Sequence, residues 1–320
     1  MTVPLKLPGF IKSLGRAIRD YPPANNVITS VVRTAIQWAP ERSRHSVIAH
    51  VPRVGFASAR LPDGKLLRLH CGEPETILNS LFYHGWTAEE EEVLPLWRLL
   101  ASEANTILDI GAHIGHFSLV AALANPHAKI VSFEPLPRVH SLLLENLRIN
   151  EVRNVDARQM ALGRAVGELP FYALPAGIPS SSSLSKDFME SGGHDIVDTT
   201  VAVSTIDLQN LPNDLPVLIK MDTETTEADV LAGGKAFLGA VKPLIIVEVL
   251  DQQDVGPKIE HELRTIGVDF TAYLMTGTGP IRKSELVGDP AWRNFLLVPN
   301  DRSRLGPLAR IVDEYLIGAG

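Results

Sequence analysis

A short glycine-containing loop is the strongest chemical signal in the sequence. The segment ILDIGAHIGHF is an apolar strand that ends near Asp109 and leads through Gly111, Ala112 and Gly115 into a helix. Glycine lets the backbone approach a ligand closely, and the N–H groups at a helix N-terminus attract an anionic group. We therefore expect this loop to bind a ligand that carries a carboxylate or a phosphate. Dinucleotide-binding loops need a second glycine where this chain has His113, which disfavours a nicotinamide or flavin cofactor.

An acidic residue at the end of the next strand completes this pattern. Glu134 and Pro135 close the segment VSFEP, and Glu134 follows Gly111 by 23 residues. A carboxylate at this position can accept hydrogen bonds from both hydroxyls of a ribose. A ribose site combined with a loop for a charged amino acid group predicts S-adenosylmethionine as the ligand. For Glu134 taken alone, the alternative is a solvated charge at a strand end.

Four further acids follow or lie within later strands. Asp222 ends VLIKMD, Glu224 and Glu227 come soon after it, and Glu248 lies within the apolar run LIIVEVL. A hydroxyl is a weak nucleophile, so methyl transfer to it needs a base or a Lewis-acid metal. We predict Asp222, Glu224 and Glu248 as catalytic residues acting without a metal, and the same oxygens would hold Mg²⁺ if one is used. The structural alternatives are helix-dipole stabilisation for Glu224 and Glu227 and a buried hydrogen bond for Glu248.

A mostly parallel sheet would bring these residues together. From Thr106 the chain alternates apolar strands with helices, which is typical of a doubly wound α/β fold with helices on both faces. The seven predicted strands are TILDI, KIVSFEP, VDARQMAL, VLIKMD, LIIVEVL, FTAYLMT and FLLVP, with helices near 115–125, 137–149, 226–238 and 256–266. No helix separates the last two strands, which predicts an antiparallel edge pair. An insertion at about 167–206 contains a run of four serines.

The residues before this core are predicted to form additional elements. We expect a helical N-terminal extension over 1–53, a hairpin with two helices over 54–105, and the core over 106–320. Pro62-Asp63-Gly64 marks the hairpin turn. One side of a helix in the extension is marked by the apolar residues Val27, Ile28, Val31, Val32, Ala35 and Ile36. The basic, amphipathic segment before it, through Ile11, Leu14 and Ile18, could pack on its own domain or touch a membrane surface or a partner.

Composition excludes several classes of protein. The 320 residues are 45% hydrophobic and 21% charged, as in ordinary globular proteins, and the net charge of −7 disfavours a nucleic-acid partner. The single cysteine, Cys71, excludes an internal disulfide and a cysteine-built zinc site. No apolar run approaches the ~18 residues of a membrane span. We therefore expect a cytoplasmic protein with a small-molecule or glycan partner, and a homo-oligomer stays open.

Six segments resemble a known enzyme family. In chain order, ILDIGAHIGHFSL, VSFEPLPRVHSLLLENLRIN, ALG, STID, VLIKMDTETTEADVLAGG and PLIIVEVL are similar to the FkbM family of S-adenosylmethionine-dependent methyltransferases, over about residues 65–300. The resemblance implies a class I methyltransferase, Rossmann-like fold and methyl transfer to a hydroxyl of a sugar, glycolipid or polyketide-type metabolite. It also implies adenine contacts by Met160 and Ala161. The predicted cofactor residues are thus Asp109, Gly111, Ala112, His113, Gly115, Glu134, Pro135, Met160, Ala161 and Asp222.

Two departures from the family pattern keep alternatives open. Family members usually carry asparagine at the position of His113 and glycine at the position of Thr225. Thr225 lies beside the predicted catalytic acids, and the first ~50 residues are unmatched by the resemblance. The first alternative is therefore a catalytically inactive binding or interaction protein that kept the cofactor fold. The second is an NAD(P)-dependent oxidoreductase, which shares the topology but is disfavoured by the missing glycine.

Overall fold

The structure of the protein is a computed structural model that describes residues 22–36, 38, 48, 51–87, 90–173, 178, 182–185, 189, 197–251 and 254–318. The chain divides into two compact units, Met1–Glu89 and Glu90–Gly320. The predicted amphipathic segment around Ile11, Leu14 and Ile18 lies outside the described residues, and the domain limits predicted at residues 53 and 105 stay predictions. No helix in the described ranges combines the length and the apolar character that crossing a membrane requires.

The described part of the first unit contains the helices α1 (Pro22–Ile36) and α2 (Thr76–His84) and a β-hairpin. The strands of the hairpin are β1 (Gly55–Arg60) and β2 (Leu66–Cys71). The strands β1 and β2 are antiparallel, which confirms the predicted hairpin, and Gly64 adopts the positive φ of 85° that its turn requires. Glu75 caps α2 because its carboxylate accepts hydrogen bonds from the backbone N–H groups of Ile77 and Leu78.

The buried side of α1 is more polar than the sequence predicts. Val27 and Val31 are 64% and 63% exposed, whereas Asn25 and Thr29 are buried. Asn25 faces inward because its amide oxygen accepts a hydrogen bond from the backbone N–H of Val54 at 3.0 Å. The prediction of one apolar side is therefore wrong for Val27, Val31 and Ala35, which are exposed, because the hydrogen bond of Asn25 turns a different face inward.

The second unit is built on one large sheet. Its strands are β3 (Thr106–Ile110), β4 (Lys129–Phe133), β5 (Val155–Arg158), β10 (Val217–Met221), β11 (Leu244–Glu248), β12 (Phe270–Thr276), β13 (Gly279–Lys283) and β14 (Asn294–Pro299). They lie in the order β13-β12-β14-β11-β10-β3-β4-β5. The strands from β11 to β5 are parallel, and β14 is antiparallel to both β11 and β12. The predicted antiparallel edge pair is confirmed.

Helices connect and cover these strands. They are α3 (Leu94–Glu103), α4 (His116–Ala124), α5 (Pro137–Ile149), α6 (Glu227–Ala232), α7 (Lys235–Val241), α8 (Val255–Ile266) and α9 (Leu308–Ile317). The single helix predicted at 226–238 is two helices. The break falls at Gly233-Gly234, where a Cβ on Gly233 would lie only 2.0 Å from the carbonyl oxygen of Gly163. Close backbone packing therefore explains the interruption.

The sheet differs from the prediction in two strands. Among the described residues it has eight strands rather than seven, because residues 279–283 form an edge hairpin with β12. The sequence GPIRK lacks the alternating apolar pattern of a strand, and proline is tolerated there because the strand lies at an edge. The predicted strand VDARQMAL is also divided. Its first half is β5, and its end, β6 (Ala161–Leu162), belongs to a second sheet.

The predicted insertion forms most of that second sheet. Its strands β7 (Gly167–Ala173), β8 (Ser182–Ser183) and β9 (Val197–Ser204) join β6 in the order β6-β9-β7-β8. Strands β7 and β9 pair in an antiparallel register over seven residues, from Gly167 opposite Val203 to Ala173 opposite Val197. Most of the remainder of the insertion, including Ser180 and Ser181, lies outside the described residues.

The strand order fixes where a ligand would bind. The chain goes from β3 to its neighbour β4 on one side, and later returns to place β10 on the other side of β3. At such a switch point the loops after the carboxyl ends of the strands separate and leave a crevice. Apolar side chains of β3, β4, β10 and β11 form the core beneath it, including Leu108, Ile110, Val131, Phe133, Met221 and Val247.

Candidate active site

The glycine loop and the acidic loop are packed directly against each other. Gly111 has a φ of 85°, and a Cβ there would lie 1.8 Å from the carbonyl oxygen of Asp222. The N–H groups of Gly111 and Ala112 donate to the carbonyl oxygen of Phe133 at 3.0 and 2.9 Å. The loop is therefore held between β4 and β10 by backbone contacts that only glycine at position 111 permits.

The remaining loop residues explain one departure from the family pattern. His113 has a φ of 51°, a left-handed conformation that asparagine and histidine adopt more readily than most residues. Gly115 has a φ of 95° and precedes α4 without capping it through a side chain. A Cβ at position 115 would lie 2.5 Å from the Cδ1 of Leu143. Histidine thus supports the same backbone shape as asparagine at position 113.

Glu134 lies beside this loop and binds its backbone. Its Oε2 accepts a hydrogen bond from the N–H of His113 at 3.1 Å, and its Oε1 accepts one from Leu136 at 2.9 Å. Burial raises the pKa of Glu134, although these hydrogen bonds and the charge of His113 oppose the change. Each carboxylate oxygen accepts about two hydrogen bonds, so both oxygens keep capacity for a further donor such as a ribose hydroxyl.

Asp109 lies beneath the loop. It is 1% exposed and accepts a hydrogen bond from the hydroxyl of Ser118, which in turn lies 2.6 Å from the hydroxyl of Ser132. Burial raises the pKa of Asp109 to about 6, although the bond from Ser118 and the charge of Lys220 lower it. In this arrangement Asp109 fastens the start of α4 to β3.

The three predicted catalytic acids converge. Oxygen atoms of Asp222, Glu224 and Glu248 lie within 4.8 Å of one another, and all three side chains are half-buried. Burial and the charges of Asp222 and Glu224 raise the pKa of Glu248 well above its usual value. Burial and the neighbouring carboxylates therefore favour the protonated form of Glu248 more than they would for an exposed glutamate. Asp222 and Glu248 therefore influence each other's protonation.

A buried lysine beside this pair was missed at the sequence level. Lys220 is 1% exposed, and its ammonium lies 3.0 Å from Oδ2 of Asp222. Burial lowers the pKa of Lys220, but the charges of Asp222, Glu90 and Glu248 outweigh it and raise the pKa overall. Burial would likewise raise the pKa of Asp222, but Lys220 lowers it below the usual value. A charged residue inside the apolar run VLIKM was the signal that could have identified it.

The same group of acids has the chemistry of a cation site. Three carboxylates that meet within 4.8 Å provide the oxygen ligands that Mg²⁺ prefers. The ammonium of Lys220, however, already neutralises Asp222 from 3.0 Å away and would repel a second cation. Lys220 therefore weakens, but does not remove, the attraction of this acidic cluster for a metal ion.

The loop that carries Asp222 and Glu224 is strained and tightly held. Glu224 and Thr225 have φ values of 55° and 82°. The Oε1 of Glu227 accepts hydrogen bonds from the N–H and hydroxyl of Thr223 at 2.8 and 3.0 Å. From the insertion, the buried hydroxyl of Ser183 donates to the carbonyl oxygen of Glu224 at 2.6 Å. Glu227 thus has a structural role in holding the acidic loop.

The structure places the last predicted cofactor residues farther along the same edge. Pro135 is buried directly after Glu134, and Met160 follows β5 and packs against the main core. Ala161 is buried and pairs with Val203 in the second sheet. The structure therefore brings the glycine loop, Glu134 and the acid cluster to one edge of the sheet, with Met160 and Ala161 at its β5 end.

Comparison with known proteins identifies the family. The model of the methyltransferase FkbM domain matches residues 109–270, the stretch from Asp109 past Glu248. Methyltransferase sdnD of Sordaria araneosa is 30% identical over 192 residues, which cover 52% of this chain and 74% of that protein. Methyltransferase 1 of Beauveria bassiana is 32% identical over 155 residues, which cover 48% of this chain and about half, 55%, of that protein.

A solved structure of a methyltransferase FkbM from Methylobacillus flagellatus is also similar, with 14% identity, a TM-score of 0.40, and coverage of 71% of this chain and 62% of that one. The strands β5, β4, β3, β10 and β11 are parallel neighbours in the sheet, and β14 lies antiparallel between β11 and β12. This strand order confirms the predicted class I methyltransferase, Rossmann-like fold. The family match begins at the first strand of this sheet and contains the glycine loop, Glu134 and the acid cluster. The chain therefore belongs to the methyltransferase FkbM family.

Proposed function

We propose that the protein uses S-adenosylmethionine to methylate a hydroxyl oxygen. The observation that carries the proposal is the contact between the glycine loop and the acidic loop, where Gly111 lies against the carbonyl of Asp222. This contact puts a candidate nucleoside site and a candidate proton acceptor side by side at one edge of the sheet. Bound S-adenosylmethionine would supply a methyl group on a positively charged sulfur, which an oxygen nucleophile can displace in line.

The residues around the glycine loop fit the parts of that cofactor. Glu134 keeps acceptor capacity for the ribose hydroxyls after binding the N–H groups of His113 and Leu136. The N-terminus of α4, which no side chain caps, would attract the cofactor's carboxylate. Met160 and Ala161 lie at the β5 end of the same edge and would contact the adenine ring. Asp222 would complete the site on the β10 side.

Asp222 would accept the proton of the acceptor hydroxyl. Lys220 lowers the pKa of Asp222 despite burial and so favours its ionised form, and a carboxylate oxygen of Glu248 lies within 4.8 Å of it. The carboxylate would orient the hydroxyl and take its proton as the new carbon–oxygen bond forms and the carbon–sulfur bond breaks. Glu224, within 4.8 Å of both acids, would widen the polar surface that faces the acceptor. If Mg²⁺ takes part, Asp222, Glu224 and Glu248 would hold it.

The acceptor that the resemblance implies is a hydroxyl of a sugar, glycolipid or polyketide-type metabolite. Calorimetry with S-adenosylmethionine tests the cofactor site. Replacing Glu134 with glutamine should weaken S-adenosylmethionine binding about 10- to 100-fold. This factor corresponds to the roughly 1.5–3 kcal/mol that hydrogen bonds to a charged group contribute. Glu168→Gln, which changes an exposed acid on β7, is the matched control and should bind as the wild type does.

A radiolabelled methyl-transfer assay on a panel of hydroxylated acceptors tests the reaction. Asp222→Asn should lower kcat by about 10²- to 10⁴-fold on any acceptor that the wild type methylates, because general-base assistance is lost. Unchanged turnover would remove Asp222 from this role. Cofactor binding without transfer to any acceptor would favour the inactive binding protein, and binding of NADH in place of S-adenosylmethionine would contradict the proposal.

A further inference from the structure

The first unit contains a cavity with an unusual concentration of arginine. The cavity has a volume of about 310 Å³, and its walls include Arg33, Arg53, Phe56, Ser58, Arg68 and Phe82. All of these residues precede the segment 109–270 that matches the family. The cavity is therefore separate in sequence from the residues to which the methyltransferase chemistry is assigned.

Three different elements bring the arginines together. Arg33 comes from the last turn of α1, and Arg53 precedes β1. Arg68 lies on β2 directly opposite Ser58 on β1, so both side chains project from the exposed face of the hairpin. The fold thus assembles the cavity from residues that are distant in sequence.

Two of the guanidinium groups lie on the same aromatic ring. The Cζ atoms of Arg33 and Arg53 are 5.0 and 4.5 Å from the centre of the Phe82 ring. Cation–π attraction favours each contact, but it also holds two like charges near each other. Burial lowers the pKa of Arg53, and the charge of Arg33 lowers it further. A bound anion would relieve this repulsion.

The hydrogen bonds of Arg53 fix its position and leave one end available. Its Nε donates to the carbonyl oxygen of Phe56 at 2.7 Å, and its Nη1 donates to the hydroxyl of Thr29 at 2.8 Å. Within the described part of the chain, Nη2 of Arg53 and the whole guanidinium of Arg33 have no hydrogen-bond partner. One donor group is thus held rigidly beside a second, half-buried one.

No acid of the described first unit lines this cavity. Its three acids are Asp63, which lies 3.6 Å from Lys65, Glu73, and Glu75, which caps α2. The charge of the whole unit is also inverted relative to the protein. Residues 1–89 contain 11 Lys and Arg against 6 Asp and Glu, a net charge of +5, whereas the whole chain has −7. The local field therefore attracts anions.

We propose that this cavity binds a phosphate ester, with Arg33 and Arg53 donating to the phosphate oxygens. Guanidinium groups match phosphate because their planar N–H donors bind its oxygens in pairs. The cavity volume of about 310 Å³ is about ten times the roughly 30 Å³ that one water occupies, so it has room for a phosphate and an attached organic group. The rings of Phe56 and Phe82 provide an apolar wall for the organic part of the ester. The phosphate belongs either to a small molecule or to a lipid headgroup, and both present the same group to the arginines.

The test uses the whole 320-residue chain and three probes. Calorimetry measures binding of inorganic phosphate and of phenyl phosphate against sodium chloride of equal ionic strength. Flotation with phosphatidylcholine vesicles that contain phosphatidylglycerol, against pure phosphatidylcholine, measures binding to a lipid phosphate. Arg33→Gln is the test variant because Arg33 donates no hydrogen bond in the described structure and its loss should leave the fold intact. Arg60→Gln is the matched control, because Arg60 is exposed on the same hairpin and donates only to the carbonyl of Gly64.

We expect phenyl phosphate to bind more tightly than inorganic phosphate, and Arg33→Gln to weaken binding at least tenfold while Arg60→Gln binds as the wild type does. Vesicle binding lost in Arg33→Gln alone would identify a lipid headgroup as the source of the phosphate. Failure of all three probes to bind would overturn the proposal. Equal weakening in Arg33→Gln and Arg60→Gln would also overturn it, because attraction by overall charge would then explain the binding. None of these outcomes depends on methyl transfer, so this proposal and the proposed function fail separately.

Discussion

Thr225 should limit the stability of the second unit. Its φ of 82° is a left-handed conformation that a β-branched residue rarely adopts. Such strain costs on the order of 1–3 kcal/mol. Glycine removes the strain, but it also lowers the stability by about 0.4–1 kcal/mol because the unfolded chain gains conformational freedom. We therefore expect Thr225→Gly to raise the free energy of unfolding by about 1 kcal/mol.

The neighbouring threonine provides a control of opposite sign. Thr226 has an ordinary φ of −108°, is buried, and donates its hydroxyl to the carbonyl oxygen of Thr223 at 3.2 Å. Thr226→Gly should therefore lower the free energy of unfolding by about 1–2 kcal/mol, through a lost hydrogen bond and added chain freedom.

Urea unfolding and thermal melting of the two variants show whether each substitution raises or lowers the stability. For a unit of this size, 1 kcal/mol corresponds to a change in Tm of about 2–4 °C. The Thr225→Gly protein should melt higher than the wild type, and the Thr226→Gly protein should melt lower. A Thr225→Gly protein that melts lower than the wild type would refute the assignment of strain to this residue.

Three further substitutions test the site. Lys220→Met should lower the free energy of unfolding, measured by urea titration, by about 3 kcal/mol because it leaves buried carboxylates without their cation. The control is Lys235→Met: the side chain of Lys235 is 43% exposed, and its loss should change the free energy of unfolding by less than about 1 kcal/mol. Burial raises the pKa of Glu227 from 4.5 to about 7, so wild-type stability should fall as the pH rises from about 4.5 through 7. Glu227→Gln should lessen that fall and be more stable than the wild type by roughly 3 kcal/mol at pH 8 but not at pH 4. Equal pH profiles of the two proteins in urea titrations would contradict this. Gly111→Ala should lower the Tm and weaken S-adenosylmethionine binding in calorimetry, because the added Cβ would lie 1.8 Å from the carbonyl oxygen of Asp222. An unchanged Tm together with unchanged binding would disprove this close contact.

The parallel part of the fold was predictable because its strands are buried on both faces. Segments such as TILDI and LIIVE are mostly apolar, and helical segments of ordinary length separate them. That alternation determines the positions of Asp109, Glu134 and Asp222 near the carboxyl ends of parallel strands. The convergence of Asp222, Glu224 and Glu248 follows from the same rule, because β10 and β11 are neighbours.

Other features depend on contacts that a pattern of residue types does not contain. The charge of Lys220 is tolerated only because carboxylates from separate segments surround it. Asn25 is buried in α1 because the chain 29 residues later offers an N–H group to its amide. The edge strand β13 has no apolar repeat of its own and forms because β12 provides a partner. In each case a tertiary contact decides the local structure.

The outermost strand also affects how copies of the protein meet. The edge of a sheet normally offers unpaired N–H and C=O groups on which a strand of another molecule can assemble. In β13, Pro280 lacks an N–H group, and Arg282 and Lys283 are exposed. A strand that approaches this side would find no N–H donor at Pro280 and would face the positive charges of Arg282 and Lys283. The hairpin therefore ends the sheet in a way that opposes strand-by-strand aggregation of concentrated protein.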